Sequence, residues 1–439
     1  MSAWQDLVTA SLIGTERTEV PPAAVPGVLT SDPASATQDP AAVLLDRAAL
    51  LTAARRAGRR PGQADPLPLA EPDPRPAMSQ AAGRRLARML GGQYPELLAE
   101  WLTAAIARGL RPPPELLPAL LDRTRRAGPA DSSLLRLAAE AGGPRARWLA
   151  GLNPDWELVT AQHLPAEDAW RLGRAAQRRG YLASLRVRDP AAASELIAGS
   201  WESAGPDDRS MFVRVMADGP RLADEPLLEA ALDDETAWIR KMAADVLAAL
   251  PGSALARRMT ARAVRCLRIE RGPRGTRLVV FPPAKSDALM RRDGIATGPV
   301  GGSSQPADQA RLMLEVVART PLLTWTDDFG LGPAQIVTLW SGDWAPVLFT
   351  AWSRAAIAQR DQDWMSALLH RALTARPPGL AAEIEALRQL ARRADPRLGG
   401  PAVLPDPGPD APPVIREATR LLRFRYEMLK ELDDHDGGD

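Results

Sequence analysis

Three histidines and a single cysteine are the whole stock of imidazole and thiol in this chain, and their spacing limits what chemistry they can do. His163 falls in a loop beside Glu167, His370 on the polar side of an expected helix, and His435 in an acidic tail. None has a second histidine or a cysteine at the short spacing that lets side chains converge on a metal. Cys266 lies on the apolar side of an expected helix with Leu255, Met259, Ala263 and Leu267, so it reads as a buried structural thiol. One cysteine alone closes no intramolecular disulfide and builds no Cys-based zinc site. The glycine-rich segment GPVGGSSQ lacks the Lys-Ser/Thr ending with which a phosphate-cradling loop holds nucleotide. Paired carboxylates, Asp233 with Asp234 and Asp327 with Asp328, stand where turns and helix caps account for them. These observations predict no catalytic residue, no cofactor and no metal, hence a protein that is not an enzyme.

Two basic stretches carry the remaining chemical signal. Arg171 to Arg188 holds six arginines and no acid, with Arg171, Arg174 and Arg178 at its start, and Arg257 to Arg277 holds eight arginines against Glu270 alone. Within the second, Arg258, Arg262 and Arg265 fall at i, i+4 and i+7, opposite the apolar face of their helix. These six residues are the candidate partner-binding positions. A solvated face compensated by neighbouring acids in the fold explains the same arginines and is the favoured reading. With a formal net charge of +1, no whole-molecule field draws the chain to nucleic acid or to an anionic membrane, and any such binding needs a local patch.

The elements that position these residues read as helices. Hydrophobic residues at 45% and charged residues at 25% are globular values, while only five Phe and three Tyr leave strands poorly supplied beside abundant Ala, Leu and Arg. The twelve Trp offer large apolar anchors between packed helices. The N-terminus lacks a basic region followed by an apolar core, and no stretch approaches about 18 uninterrupted apolar residues, which predicts a cytoplasmic chain without a membrane span.

Helices are expected over Ala3 to Ile13 and around 41 to 57, forming an N-terminal unit 1–57. A linker follows at 58–77, where six prolines remove backbone donors. Short helices then run near 79 to 90, 95 to 108, 114 to 126, 131 to 140 and 144 to 151, opening a repeat region 78–267. Its clearest units begin at Asp189 and Pro190, a good N-cap and first-turn pair. After Asp233 and Asp234 come Ile239, Met242, Ala243, Val246, Leu247 and Leu250 at helical spacing, leaving Arg240, Lys241 and Asp245 outward. Residues 268–304 interrupt the pattern with a short strand over Thr276 to Phe281. A Trp-rich helical region 305–395, a Pro-rich linker 396–413 and a final amphipathic helix within 414–439 complete the order. The fold class is therefore all-α: paired antiparallel helices with a small strand-containing insertion.

The helix in DDETAWIRKMAADVLAAL resembles that of a HEAT repeat, in which an acidic turn precedes a β-branched residue, Arg, and then Ala and Leu at helical spacing. That likeness implies an α-solenoid. WQDLVTASLIGTER, DPAAASELIAGSW, the stretch from ALDDETAWIRK to PGSALARRM, PLLTW and WSRAAIAQRDQDW together resemble a bacterial family of HEAT-like helical-repeat proteins of unknown function. Its members are encoded beside MoxR-type AAA ATPases, von Willebrand factor A-domain proteins and SWIM zinc-finger proteins. The resemblance implies a non-catalytic interaction scaffold or adaptor with partners of those kinds. The alternative is a nucleic-acid-binding HEAT-like protein that uses its Arg-rich helix faces.

Overall fold

Helix starts in this chain are written in short polar signals, and the computed structural model shows them in use. It describes residues 3–21, 39–57, 67, 69–127, 132–156, 166–171, 173, 175–273, 275–295, 306–340, 342–375, 383–401, 403–404 and 406–434. Asp189 accepts a hydrogen bond from the Ala192 amide at 3.0 Å with Pro190 in the first turn, and Ser79, Ser253, Asp287 and Asp361 cap four further helices through their side chains. Among the described residues 71% are helical, in 21 helices, with one two-stranded antiparallel sheet.

Two units divide it, Met1–Leu69 and Ala70–Asp439. The first contains α1 (Ala3–Ile13) packed on α2 (Pro40–Ala57). Leu7 and Ala10 are buried, and the Arg55 guanidinium lies 5.9 Å from the centroid of the Trp4 ring.

The second unit opens with α3 (Gln80–Leu90), α4 (Leu98–Ala107), α5 (Leu117–Ala127) and α6 (Ser132–Leu152). The two helices expected near 131 to 140 and 144 to 151 are both present within α6, separated by a kink at Gly143 (φ 57°), whose backbone is not helical, just before Pro144. The bend frees the carbonyls of Glu140 and Ala141, and the Arg75 side chain takes both, at 3.1 and 2.9 Å.

Paired helices follow: α7 (Ala166–Arg171), α8 (Ala175–Arg188), α9 (Pro190–Trp201), α10 (Pro206–Ala217), α11 (Glu225–Ala231), α12 (Ala237–Leu247) and α13 (Ala254–Ala263). From α8 to α13 each packs on near neighbours in the chain. The apolar face read for α12 is the buried one, with Ile239, Ala243 and Leu247 at 1% exposure or less.

β1 (Leu267–Gly272) and β2 (Gly275–Val280) then form a hairpin, pairing Leu267 with Val280 and Ile269 with Leu278. These four residues pack on the core. The expected strand is therefore β2. Its partner β1, LRIERG, alternates apolar and charged residues only over Leu267 to Glu270 before Arg271 and Gly272 end the pattern, too short a run to stand out.

After α14 (Ala288–Arg292) come α15 (Pro306–Ala318), α16 (Leu322–Phe329), α17 (Pro333–Ile336), α18 (Ala345–Gln359), α19 (Gln362–His370), α20 (Ile384–Arg393) and α21 (Pro413–Asp433). Trp352 on α18 is the hub of this region, with the rings of Trp325, Trp340 and Trp364 centred 6.0, 5.4 and 5.3 Å away. All four indoles are buried.

α21 packs on α20 and also on α3 and α4. Arg85 donates to Glu431 at 2.6 Å and Glu427 at 2.9 Å, Arg425 to Glu100 at 2.7 Å, and the Ser79 hydroxyl to the Glu431 carbonyl at 2.8 Å. In a linear solenoid each repeat touches only its neighbours, and this return contact between the two ends of the unit lies outside that pattern.

Candidate interaction surface around the second basic stretch

The geometry of α13 decides what its arginines can do. Ser253 caps the helix, and Leu255, Ala256, Met259 and Ala263 are buried along one side, as their spacing predicts. Arg258 and Arg262, however, do not present a free stripe. Both converge on Asp293, only 1% exposed, just beyond α14: Arg258 donates to it at 2.7 Å and Arg262 at 2.6 Å. Arg258 also reaches Glu229 on α11 at 3.0 Å, and Arg292 joins Glu229 at 3.2 Å and Asp233 at 2.7 Å. Three arginines and three carboxylates thus form one network. Burial works against the Arg258 charge, but Asp293 and Glu229 hold its pKa above the ordinary value, and the hydrogen bond from Arg292 lowers that of Asp233. The outward placement expected for Arg258 and Arg262 is corrected: their long side chains fold over the edge of the helix toward acids on other elements.

Arg265 parts company with them. The helix ends at Ala263, so the i+7 position falls in the turn after it, and Arg265 is exposed with no ion-pair partner among the described residues. Cys266 follows, buried beside the hairpin rather than within the helix, its thiol donating to the Arg262 carbonyl at 3.3 Å and its pKa pushed up by burial to about 11.

The base of the hairpin closes on the residue after Arg265. The Phe281 amide donates to the Cys266 carbonyl at 2.7 Å, which sets Phe281 alongside the end of the Arg265 turn. Phe281 is 46% exposed, and the exposed Arg268 lies over its ring at 5.5 Å. Two cations and an exposed aromatic ring therefore share one backbone corner. Arginine pairs with anions and stacks on aromatic faces, so this corner offers both kinds of contact to a partner.

The first basic stretch gathers no comparable group. Arg171 is exposed at the end of α7, Arg174 lies outside the described residues, and Arg178 is half-buried in an ion pair with Asp208 at 2.8 Å. Arg186 is buried against Asp224, which also accepts from Ser194. Burial disfavours the Asp224 charge, and the hydrogen bonds from Arg186 and the Arg221 amide outweigh it, lowering the pKa. His163, His435 and GPVGGSSQ fall outside the described residues, and His370 is exposed at the end of α19. Among the described residues no three His, Cys, Asp or Glu gather as metal ligands, and no helix is long and apolar enough to cross a membrane. Sequence reasoning missed two features: the Asp293 hub, whose partners lie 31 and 35 residues away, and Trp238, 55% exposed on the first turn of α12.

By architecture this is a predominantly helical protein whose paired helices carry one small β-hairpin. The chain belongs to a family of unknown function (DUF5691), whose model matches residues 6–398. No curated protein and no solved structure matches it.

Proposed function

We propose that the protein is a non-catalytic interaction scaffold whose partner is a MoxR-type AAA ATPase or the von Willebrand A-domain protein or SWIM zinc-finger protein encoded with it. The observation that carries this reading is the exposed corner of Arg265, Arg268 and Phe281. Arginine and aromatic side chains dominate the binding energy of protein interfaces, and here they gather between the turn after α13 and the base of the hairpin. The resemblance of the α12 sequence to a HEAT helix supports the same reading, because solenoid arrays offer extended surfaces without needing a pocket. The nucleic-acid alternative draws less support, since Arg258 and Arg262 are neutralised by carboxylates and the formal net charge is only +1.

A scaffold couples to an ATPase by binding one of its conformations more tightly, which shifts that state's population without chemistry of its own. Purified chain is expected to hydrolyse no nucleotide and to change the turnover of the ATPase in the mixture. Arg265→Glu with Arg268→Glu should remove that change at unaltered thermal stability. Hydrolysis by the chain alone that disappears on mutating one of its own residues would defeat the proposal. Coupling that survives the double substitution would retire this corner as the contact.

A further inference from the structure

A cleft of about 600 Å³ opens between α17, α19 and the segments on either side of residue 400. Its floor is apolar, with Val337, Leu369, Leu373, Leu404 and Leu422 all buried. Its polar lining follows one face of α19 and the turn beyond it: Asp363, Ser366, His370, Arg371 and Thr374 recur at i, i+3, i+7, i+8 and i+11. At Arg371 the α-helix passes into a π-helical turn, Arg371–Ala375, a wider winding often found where a chain lines a ligand site.

Arg371 is the anomaly. Every other guanidinium that has a buried nitrogen without a partner, on Arg85, Arg178, Arg319 and Arg392, also holds a carboxylate. The Nε of Arg371 is buried without a partner, and its side chain makes no ion pair among the described residues. A cation at the end of a helix is favourable by itself through the helix dipole, but that accounts for an exposed arginine and not for a desolvated Nε with no acceptor. Asp363 cannot supply the acceptor from the same helix, because eight residues of helical rise, roughly 12 Å, separate the two positions.

We infer that this cleft binds a small amphiphile, with a single anionic head, carboxylate or phosphate monoester, on Arg371 and an acyl-sized apolar body on the leucine floor. The volume falls within the roughly 300–1,000 Å³ of small-molecule sites, and an apolar floor with a few convergent polar groups is their usual composition. His370 and Thr374 stand beside the head position. Asp363, at the other end of the polar face, repels a second anion and so selects against ligands charged at both ends.

Isothermal titration of the full chain with decanoate, decyl phosphate, decanol and decanedioate tests this. Saturable binding of decanoate or decyl phosphate, at least ten times tighter than decanol and decanedioate, is expected, and the tighter of the two anions identifies the head. Arg371→Gln should abolish the preference over decanol. Ala334→Trp, a substitution at the rim that fills the cleft, should abolish binding altogether while the far-ultraviolet circular dichroism stays that of the parent. Failure of both anions to bind saturably, decanol binding as tightly as they do, or an unchanged preference in Arg371→Gln would each overturn the inference.

Discussion

Arginine in this protein works mainly as an internal connector. Arg319, 1% exposed, reaches Glu315 on α15 and donates to Asp245 on α12 at 2.7 Å, while Arg354 on α18 donates to Glu315 at 2.9 Å. Burial would push the Glu315 carboxyl up, but the Arg319 charge and the Arg354 hydrogen bond outweigh it and hold the group at about 2. Its unfolded value is ~4.3. The stabilisation is thus complete above that value and is lost as pH falls toward 2, a contribution on the order of 3 kcal/mol. At pH 7 Glu315→Gln should be less stable by a few kcal/mol, because Arg319 keeps its charge while losing a buried partner. Urea unfolding from pH 6 down to pH 2 should show the two proteins converge. A gap that stays constant over that range would mean that Glu315 is not the group responsible.

At the scale of elements, the region from α15 to α20 is organised around indole rings as well as charge. Trp352 contacts three other tryptophans from the middle of α18, so its removal opens a cavity against α16, α19 and the turn that carries Trp340. Trp352→Ala is expected to cost about 3–5 kcal/mol, read as a lowered urea midpoint, and to lose the near-ultraviolet dichroism of the stacked indoles. Retention of both would show that the cluster is not cooperative. Glycine has a comparable part where backbones meet: a Cβ on Gly399 would run into the Leu422 and Arg423 backbone of α21, so the chain passes the last helix at a distance only glycine allows.

For the second unit as a whole, α21 is the joint between its beginning and its end. Val414, Ile415, Leu421, Leu422, Phe424, Met428 and Leu432 are buried on it, and Arg85 lies beneath it with its guanidinium 4.4 Å from the Phe424 ring centroid. A chain ending at Pro412 would uncover that apolar surface and leave Arg85 a buried cation without Glu427 or Glu431. Hydrogen exchange should then show α3 and α4 losing protection together, though they stand over 300 residues before the deletion. Unchanged protection of Gln80–Ala107 in the shortened chain would show that α21 only covers the surface.

What was legible in the sequence is what forms from near neighbours. The bounds of α1, the Asp189 and Pro190 cap, the buried face of α12 and the strand β2 each follow from side chains within a few turns of one another, where backbone geometry sets who meets whom. Spacing also placed Arg258 and Arg262 opposite the apolar face of α13, but could not say which acids they would find. Asp293 lies 35 and 31 residues away, and Glu431 lies 346 residues from Arg85. Asp245, read as outward, became the partner of Arg319 for the same reason. A flexible arginine reaches any acid the fold brings near, so its partner is settled by tertiary packing alone. Local pattern determined the helices and their buried faces, whereas only the folded chain decided which charges are paired inside it and that Arg265, Arg268 and Arg371 are left free to meet something else.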